Sequence, residues 1–420
     1  MSGSITHAER LAAVREAFST LPQRYLGGEP GFDTTYQLRL GDVGQTWEVR
    51  LTDKQASVRA GSTRRKPDVT IGTDAETWLR LREGQLSGID AFSERRLTVR
   101  GDLDLALAFE SRFELPGGRA PLMRLHDVRL PGRCVSTLTM GEGPDVLLLH
   151  GLGGTKASFF LTAACLAQRY RVHALDFPGF GGSSKPHAAP YSARWFADTV
   201  VGVMDRLDIN RAHIVGNSMG GRVAIEVALR DPDRVRALGL LCPAVAFIRR
   251  SWHPIVRMLR PEFGLLPHRY PRNIVAAQFW SMFCNPDTLD PAVADVVVDE
   301  FQRIYGSAGA RFAFLCSARN IYLDAPWGKH GFYGRLADLE APALFVWGTH
   351  DKLIPSAFKR HIAEWLPSAE QVVLPNCGHV PQVELADETN GLLWEFFSRI
   401  DARDRKRGAD VVGLGDARAA

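Results

Sequence analysis

Two kinds of hydrophobic patterning divide the chain. From Thr35 to about Thr73 apolar and polar positions alternate with period two: Tyr36, Leu38 and Leu40 against Gln37 and Arg39, then Trp47, Val49 and Leu51 against Glu48 and Arg50. This period puts the apolar side chains of an extended chain on one face, so it predicts half-buried antiparallel strands. The intervening GDVG suits a hairpin, because glycine tolerates the positive φ of a tight turn. An amphipathic helix is expected over residues 6 to 20, and further helices over 74–82 and 103–113. The first 115 residues therefore read as α+β.

Past LPGGRAP, at residues 115–121, the pattern changes to short continuous apolar runs alternating with helical stretches. The runs are DVLLLHG (145–151), RVHALD (171–176), AHIVGNS (212–218), RALGLL (236–241), ALFVWG (343–348) and QVVLP (371–375). Unbroken apolar strands belong to a parallel sheet covered on both faces, so this part is expected to be a doubly wound α/β fold. Between the fourth and fifth runs lies Pro243 to Asp338, rich in Trp, Phe and Arg and too long for a simple crossover. The expected organisation is a first domain at 1–115, a linker at 116–126, an α/β domain at 127–400 with a helical cap inserted at about 244–338, and a disordered polar tail at 401–420.

Composition narrows the function classes. At 420 residues the chain exceeds the ~250 at which single cores stop growing, which agrees with two domains. A formal net charge of +4 with scattered basic residues excludes the basic stripe of a nucleic-acid binder. The cysteines Cys134, Cys165, Cys242, Cys284, Cys316 and Cys377 stand singly, without CxxC spacing, so neither a zinc site nor a dense disulfide framework is expected. A reducing cytoplasm fits best. The N-terminus lacks the apolar core of a signal peptide, and the run Ala237 to Ile248 falls short of the ~18 residues of a membrane span.

The candidate chemistry centres on GNSMGG, Gly216 to Gly221, between an apolar strand and the helical stretch RVAIEVALR. A serine on a sharp strand-to-helix turn needs small residues two before and two after it, and Gly216 and Gly220 supply them. The helix N-terminus beyond that turn faces any developing oxyanion. A second glycine turn, HGLGG, comprises His150, Gly151, Leu152, Gly153 and Gly154 and follows an earlier strand; the backbone amides of Leu152 and Met219 are the candidate oxyanion donors. Asp351 in GTHDKLIP and His379 in NCGHVPQVE each follow a later strand. The chain order serine, acid, histidine allows Ser218 to attack, His379 to move its proton and Asp351 to orient the imidazole. No metal and no cofactor is needed for that chemistry.

With HGLGG, DFPGFGGS (176–183), GNSMGG, GTHDKLIP and CGHVPQVE in order, residues from about 126 to 400 resemble the α/β-hydrolase fold family. The resemblance implies a mostly parallel sheet and a triad of Ser218, Asp351 and His379; Asp176 is read as structural. A serine in the elbow argues against the dehalogenases and epoxide hydrolases of the family, which use a carboxylate nucleophile. Ester-type chemistry is favoured, with acyl thioesters as near neighbours. GNSMGG and CGHVPQVELADETN also resemble carbon–carbon hydrolases that open ring-cleavage products. Those enzymes carry HGxGPGA where this chain has HGLGGTK, and a Trp after the histidine where Val380 stands.

Residues 5–114 resemble sterol carrier protein type-2 domains, on the strength of KPDVTIGTDAETWLRLREGQLSGIDAFSERRLTVRGDLDLALAF at 66–109. Such a domain implies an apolar tunnel for a lipid or acyl chain, to which Trp78, Leu79, Leu81, Ile89, Phe92, Leu105, Leu107 and Phe109 would contribute if they are not plain core. In the cap, Trp252, Phe263, Phe279, Trp280, Phe283 and Trp327 either line an apolar acyl pocket or form the cap's own small core. Arg249, Arg250, Arg257 and Arg260 either meet an anionic group or membrane surface or form a solvated face. The expected substrate is a small hydrophobic, lipid-like ester. The competing reading from another class is a non-catalytic lipid-binding protein.

Overall fold

The computed structural model describes residues 6–248, 253–289, 291–328 and 330–416. The chain forms two compact units. One comprises Met1–His126 with Leu138–Gly141 and Leu289–Ile304; the other comprises Asp127–Thr137, Glu142–Thr288 and Tyr305–Ala420.

In the first unit, β1 (Asp33–Leu40), β2 (Gln45–Thr52), β3 (Ala56–Ala60), β4 (Val69–Thr73) and β5 (Leu97–Gly101) form a sheet in the order β3-β2-β1-β4-β5. The period-two segments pair antiparallel as expected, Tyr36 opposite Val49 and Leu38 opposite Trp47, and the GDVG turn closes on Gly44 at φ 61°. Four helices accompany the sheet: α1 (His7–Ser19), α2 (Ala75–Glu83), α3 (Gly88–Ser93) and α4 (Leu103–Ser111). Each begins where a side chain satisfies an orphan amide. Thr6 and Glu9 form a reciprocal capping box, while Asp74, Ser87 and Asp102 cap the other three. Phe18 is stacked between Trp47 and Trp78, with ring centroids 4.4 and 4.6 Å away. Of the candidate tunnel residues, Trp78, Ile89, Leu107 and Phe109 are buried, whereas Leu79, Leu81, Phe92 and Leu105 are half-buried.

The stretch 116–126, expected as a linker, carries local structure. Leu115 bridges Arg119, whose guanidinium donates to the carbonyls of Pro116 and Glu83, and β6 (Met123–Leu130) starts inside this stretch. Arg124, His126, Asp127 and Arg129 within β6 obscured its strand pattern.

The eight-stranded sheet continues through β7 (Arg133–Met140), β8 (Asp145–Leu149), β9 (Arg171–Leu175), β10 (Ala212–Asn217), β11 (Val235–Leu241), β12 (Ala343–Gly348) and β13 (Glu370–Leu374), in the order β13-β12-β11-β10-β8-β9-β7-β6. The strands from β8 to β13 run parallel, and Val146 to Leu149 are wholly buried, which is why that run carries no polar alternation. Between the strands run α5 (Phe160–Leu166), α6 (Ala193–Arg206) and α7 (Met219–Arg230). The insertion between β11 and β12 is helical as expected: α8 (His253–Met258), α9 (Arg272–Trp280), α10 (Pro291–Gly306), α11 (Ala308–Leu323) and α12 (Phe332–Leu336). The last helices are α13 (Lys359–Trp365), α14 (Pro381–Glu384) and α15 (Ala386–Asp416). The tail expected from Asp401 is helical as far as Asp416, in α15, and its last residues, 417–420, lie outside the described residues. Asp401 is buried and accepts from Tyr170 at 2.9 Å and pairs with His213 at 3.0 Å, partners far upstream that anchor the helix past the apolar stretch.

Candidate active site

Ser218 lies between the end of β10 and the start of α7 with φ 51° and ψ −116°, a left-handed backbone that a non-glycine residue adopts only where its surroundings enforce it. The surroundings here are glycines. A Cβ on Gly216 would collide with the backbone of Gly220, and one on Gly220 would collide with the carbonyl of Leu149. The elbow can turn this tightly only because both side chains are absent. Ser218 itself is half-exposed.

The histidine and the acid come from loops after β13 and β12. His379 Nδ1 and Asp351 Oδ2 are 2.7 Å apart, and the two residues are only 4% and 6% exposed. The other carboxylate oxygen of Asp351 accepts the amides of Leu353 at 2.8 Å and Ile354 at 2.9 Å. With its own oxygens committed, Asp351 fixes the imidazole Nδ1 as a donor and leaves Nε2 as the ring's acceptor nitrogen. Asn217 ties this pair to the elbow by donating to the carbonyls of His379 at 3.0 Å and Leu241 at 3.1 Å. Cys242 completes a buried group with Asp351 and His379, their donor atoms within 4.8 Å of one another. Burial first, and then the charge of Asp351, pushes the Cys242 thiol well up, so it stays protonated beside the acid.

HGLGG closes against the same turn. A Cβ on Gly151 would lie 3.0 Å from Asn217 Oδ1 and 3.3 Å from Ser218 Cβ, so the loop's glycine permits its approach to the serine. His150 is buried; its Nδ1 donates to the carbonyl of Gly151 at 2.7 Å and its Nε2 accepts the amide of Phe177 at 2.9 Å. Burial holds its pKa down, in keeping with a neutral ring that braces the loop. Among the described residues, the amides of Leu152 and Met219 have no backbone acceptor.

Sequence reasoning missed two supports of this site. Lys156, directly after HGLGGT, is wholly buried with Asp176; its ammonium is 2.5 Å from Asp176 Oδ2 and its amide donates to Oδ1 at 2.7 Å. Burial pushes the Asp176 carboxyl up, but the Lys156 ammonium, His150 and the hydrogen bonds from Lys156 together outweigh it and hold the group below its ordinary range. The structural reading of Asp176 thus acquires a specific partner. Glu384 is the second support: one carboxyl oxygen accepts the amides of Cys284 and Asn285, each at 2.7 Å, and the other accepts Gly378 at 2.6 Å. The sequence signal was an acid inside the apolar stretch VPQVELA.

The cap residues divide. Phe279, Trp280 and Phe283 pack together, with ring centroids 5.0 to 5.6 Å apart, and the carbonyl of Met282 among them accepts the His379 amide at 2.6 Å. Phe263, Arg257 and Arg260 are exposed, and Trp327 packs beside Tyr333. Arg249, Arg250 and Trp252 lie outside the described residues. Tyr305 and Phe314, not singled out in the sequence, sit over Gly153, where a Cβ would collide with the tyrosine hydroxyl. No helix among the described residues is long and apolar enough to cross a membrane.

Two family models match the chain. The family model of the alpha/beta hydrolase fold matches residues 144–385, and that of the SCP-2 sterol transfer family matches residues 30–114. The chain is similar to a 2-hydroxymuconate semialdehyde hydrolase of Pseudomonas sp. (strain CF600), at 32% identity over 62% of this chain and 89% of that one. It is similar to a pimeloyl-[acyl-carrier protein] methyl ester esterase of Aeromonas hydrophila subsp. hydrophila, at 30% identity over 59% of this chain and 92% of that one. Among solved structures, a membrane phospholipase A described as a bacterial virulence factor superposes with a TM-score of 0.57 and 29% identity, covering 67% of this chain and 87% of that one. The chain therefore belongs to the α/β hydrolase fold family, as a hydrolase that carries an SCP-2-type domain at its N-terminal side.

Proposed function

We propose that Ser218, Asp351 and His379 form a catalytic triad that cleaves carboxylic esters of hydrophobic, lipid-like substrates. The observation that carries the reading is the left-handed elbow at Ser218 together with the buried His379–Asp351 pair tied to it through Asn217. In the reaction the Ser218 hydroxyl attacks the ester carbonyl while its proton passes to His379 Nε2. The oxyanion takes the amides of Leu152 and Met219. Collapse releases the alcohol, which receives the proton from His379, and leaves an acyl-Ser218 ester. Water, deprotonated by the same imidazole, then attacks the acyl group and frees the acid and the serine. Asp351 keeps Nδ1 protonated and stabilises the imidazolium in both halves.

An ester is favoured over a carbon–carbon bond by HGLGGTK and Val380, which depart from the pattern of ring-fission hydrolases, and by the similarity to a methyl ester esterase. Tyr305 and Phe314 over Gly153 offer an apolar wall for an acyl chain. The domain division proposed is a lipid-carrier domain ending near 115 and a hydrolase domain from about 127 to 400. Its SCP-2-type part points the substrate toward lipids.

The test is labelling with a fluorophosphonate and a screen of p-nitrophenyl acyl esters, acyl thioesters and a ring-fission product on the full chain. Labelling lost in Ser218→Ala, with turnover of acyl esters, is the expected result. An unreactive wild type that binds fatty acid tightly would overturn it in favour of a lipid-binding protein. The similarity to the 2-hydroxymuconate semialdehyde hydrolase supports a second reading, carbon–carbon hydrolysis by the same triad, and turnover of the ring-fission product alone would select it.

A further inference from the structure

Between His253 and Ile274 the cap turns large apolar side chains to solvent. Ile255 is 62% exposed, Met258 81%, Phe263 57%, Leu266 57% and Ile274 52%. Soluble surfaces carry such side chains singly, and a concentration of them marks a surface that meets something else. The exposure is built into the fold. Arg311 on α11 is buried beneath the turn between α8 and α9 and donates to the carbonyls of Gly264 at 3.0 Å and Leu266 at 2.8 Å, while its remaining nitrogen holds those of Tyr305 and Gly306. Gly264 is buried so closely that a Cβ would lie 2.6 Å from the amide of Phe312. The backbone is thus pinned through the carbonyls of Gly264 and Leu266, while the side chains of Phe263 and Leu266 are exposed.

The charge in this stretch is predominantly positive, although Glu262 lies among the arginines and lines the same groove. Four arginines, Arg257, Arg260, Arg269 and Arg272, face a single acid, Glu262, between residues 253 and 274. Arg257 and Arg260, with Arg319, line a groove of about 640 Å³ that also includes Met258. Interfaces between proteins keep charge at the rim and a dry apolar centre. Here Arg257 sits directly before Met258 and Arg260 two residues after it, so sealing Met258 against a protein would strip water from guanidiniums on both sides. A phospholipid headgroup layer accommodates both groups at once, because acyl chains receive the apolar tips while phosphates meet the cations.

We propose that this face of the cap docks on the surface of an anionic phospholipid bilayer. The inference rests on exposure, anchoring and charge, and it stands whether the triad cleaves esters or carbon–carbon bonds. The full-length protein is sedimented with vesicles of phosphatidylcholine alone and of equal parts phosphatidylcholine and phosphatidylglycerol. The wild type is expected to partition onto the anionic vesicles and only weakly onto the neutral ones. The variant R257Q/R260Q/R269Q should lose about two orders of magnitude in partitioning, since each arginine near an anionic surface contributes about a factor of five. Met258→Asp with Leu266→Asp should abolish binding to both, with a melting curve matching the wild type's because both positions are exposed. Equal binding by wild type and variants, equal wild-type binding to the two vesicle types, or no binding at all would overturn the proposal. So would a wild-type oligomer that the aspartate variant dissolves without any vesicle association, which would make the face a protein interface.

Discussion

Replacing Glu384 by glutamine isolates one contact that holds the loop of His379, the proposed general base. The carboxyl group is nearly enclosed and its two oxygens accept three backbone amides, those of Cys284 and Asn285 on the cap side and that of Gly378 immediately before His379. Glutamine keeps the size but turns one acceptor into a donor. If its oxygen serves Cys284 and Asn285, its NH2 confronts the Gly378 N–H, donor against donor; if it flips, two amides lose their acceptor. With each unsatisfied buried group costing about 1–3 kcal/mol, the better orientation should destabilise by about 2 kcal/mol and the other by about 4 kcal/mol. The loop is also free to shift, and a displacement near 1 Å can cost about 100-fold in rate. Urea unfolding read through loss of fluorophosphonate labelling, together with kcat/KM on a p-nitrophenyl ester, measures both. Glu384→Gln should lower the urea midpoint and reduce kcat/KM by roughly 10- to 100-fold. An unchanged midpoint with kcat/KM within about twofold would refute the assignment of Glu384 as the brace of the loop, since the orphaned amide could then cost nothing.

The buried Lys156–Asp176 pair makes a second case: Lys156→Met leaves Asp176 uncompensated and should cost about 3–5 kcal/mol in urea unfolding, whereas Lys156→Met with Asp176→Asn should recover part of it. A double variant no more stable than the single one would refute a charge-based origin. The folded Asp176 pKa is depressed, so this pair's contribution is present above the unfolded carboxylate pKa and is lost as pH falls through the folded value. Glu110 in the first unit has the opposite sign. Burial pushes its carboxyl up to about 7 against the Gly88 amide it accepts, with Asp90 adding to the rise and Arg82 opposing it. Its contribution is complete below the unfolded value and is lost as pH rises toward 7. Glu110→Gln should therefore melt like the wild type near pH 4 and above it at pH 8, and a difference independent of pH would contradict the shift.

The buried strands and the elbow were readable because their causes are local. Continuous apolar runs such as Val146 to Leu149 reflect burial on both faces, and Gly216 and Gly220 are required within two residues of Ser218 by the turn itself. The order Ser218, Asp351, His379 could be inferred because each residue follows a strand of one parallel sheet, whose carboxyl ends share an edge. The edge strand β6 was not readable, since charged residues break its alternation.

The sequence by itself nominated the residues proposed for the chemistry, Ser218, Asp351 and His379, and determined the glycines where the backbone must turn or approach. Tertiary structure alone decided what holds them. Glu384 joins the histidine loop to amides about a hundred residues away, Lys156 meets Asp176 from the next strand's loop, and Asp401 reaches back to His213 and Tyr170 to extend α15. These are polar residues whose partners are distant in sequence, and no local period records them. Burial in the folded chain is what converts each from an ordinary charge into an anchor, because only there does leaving a hydrogen bond unmade become expensive.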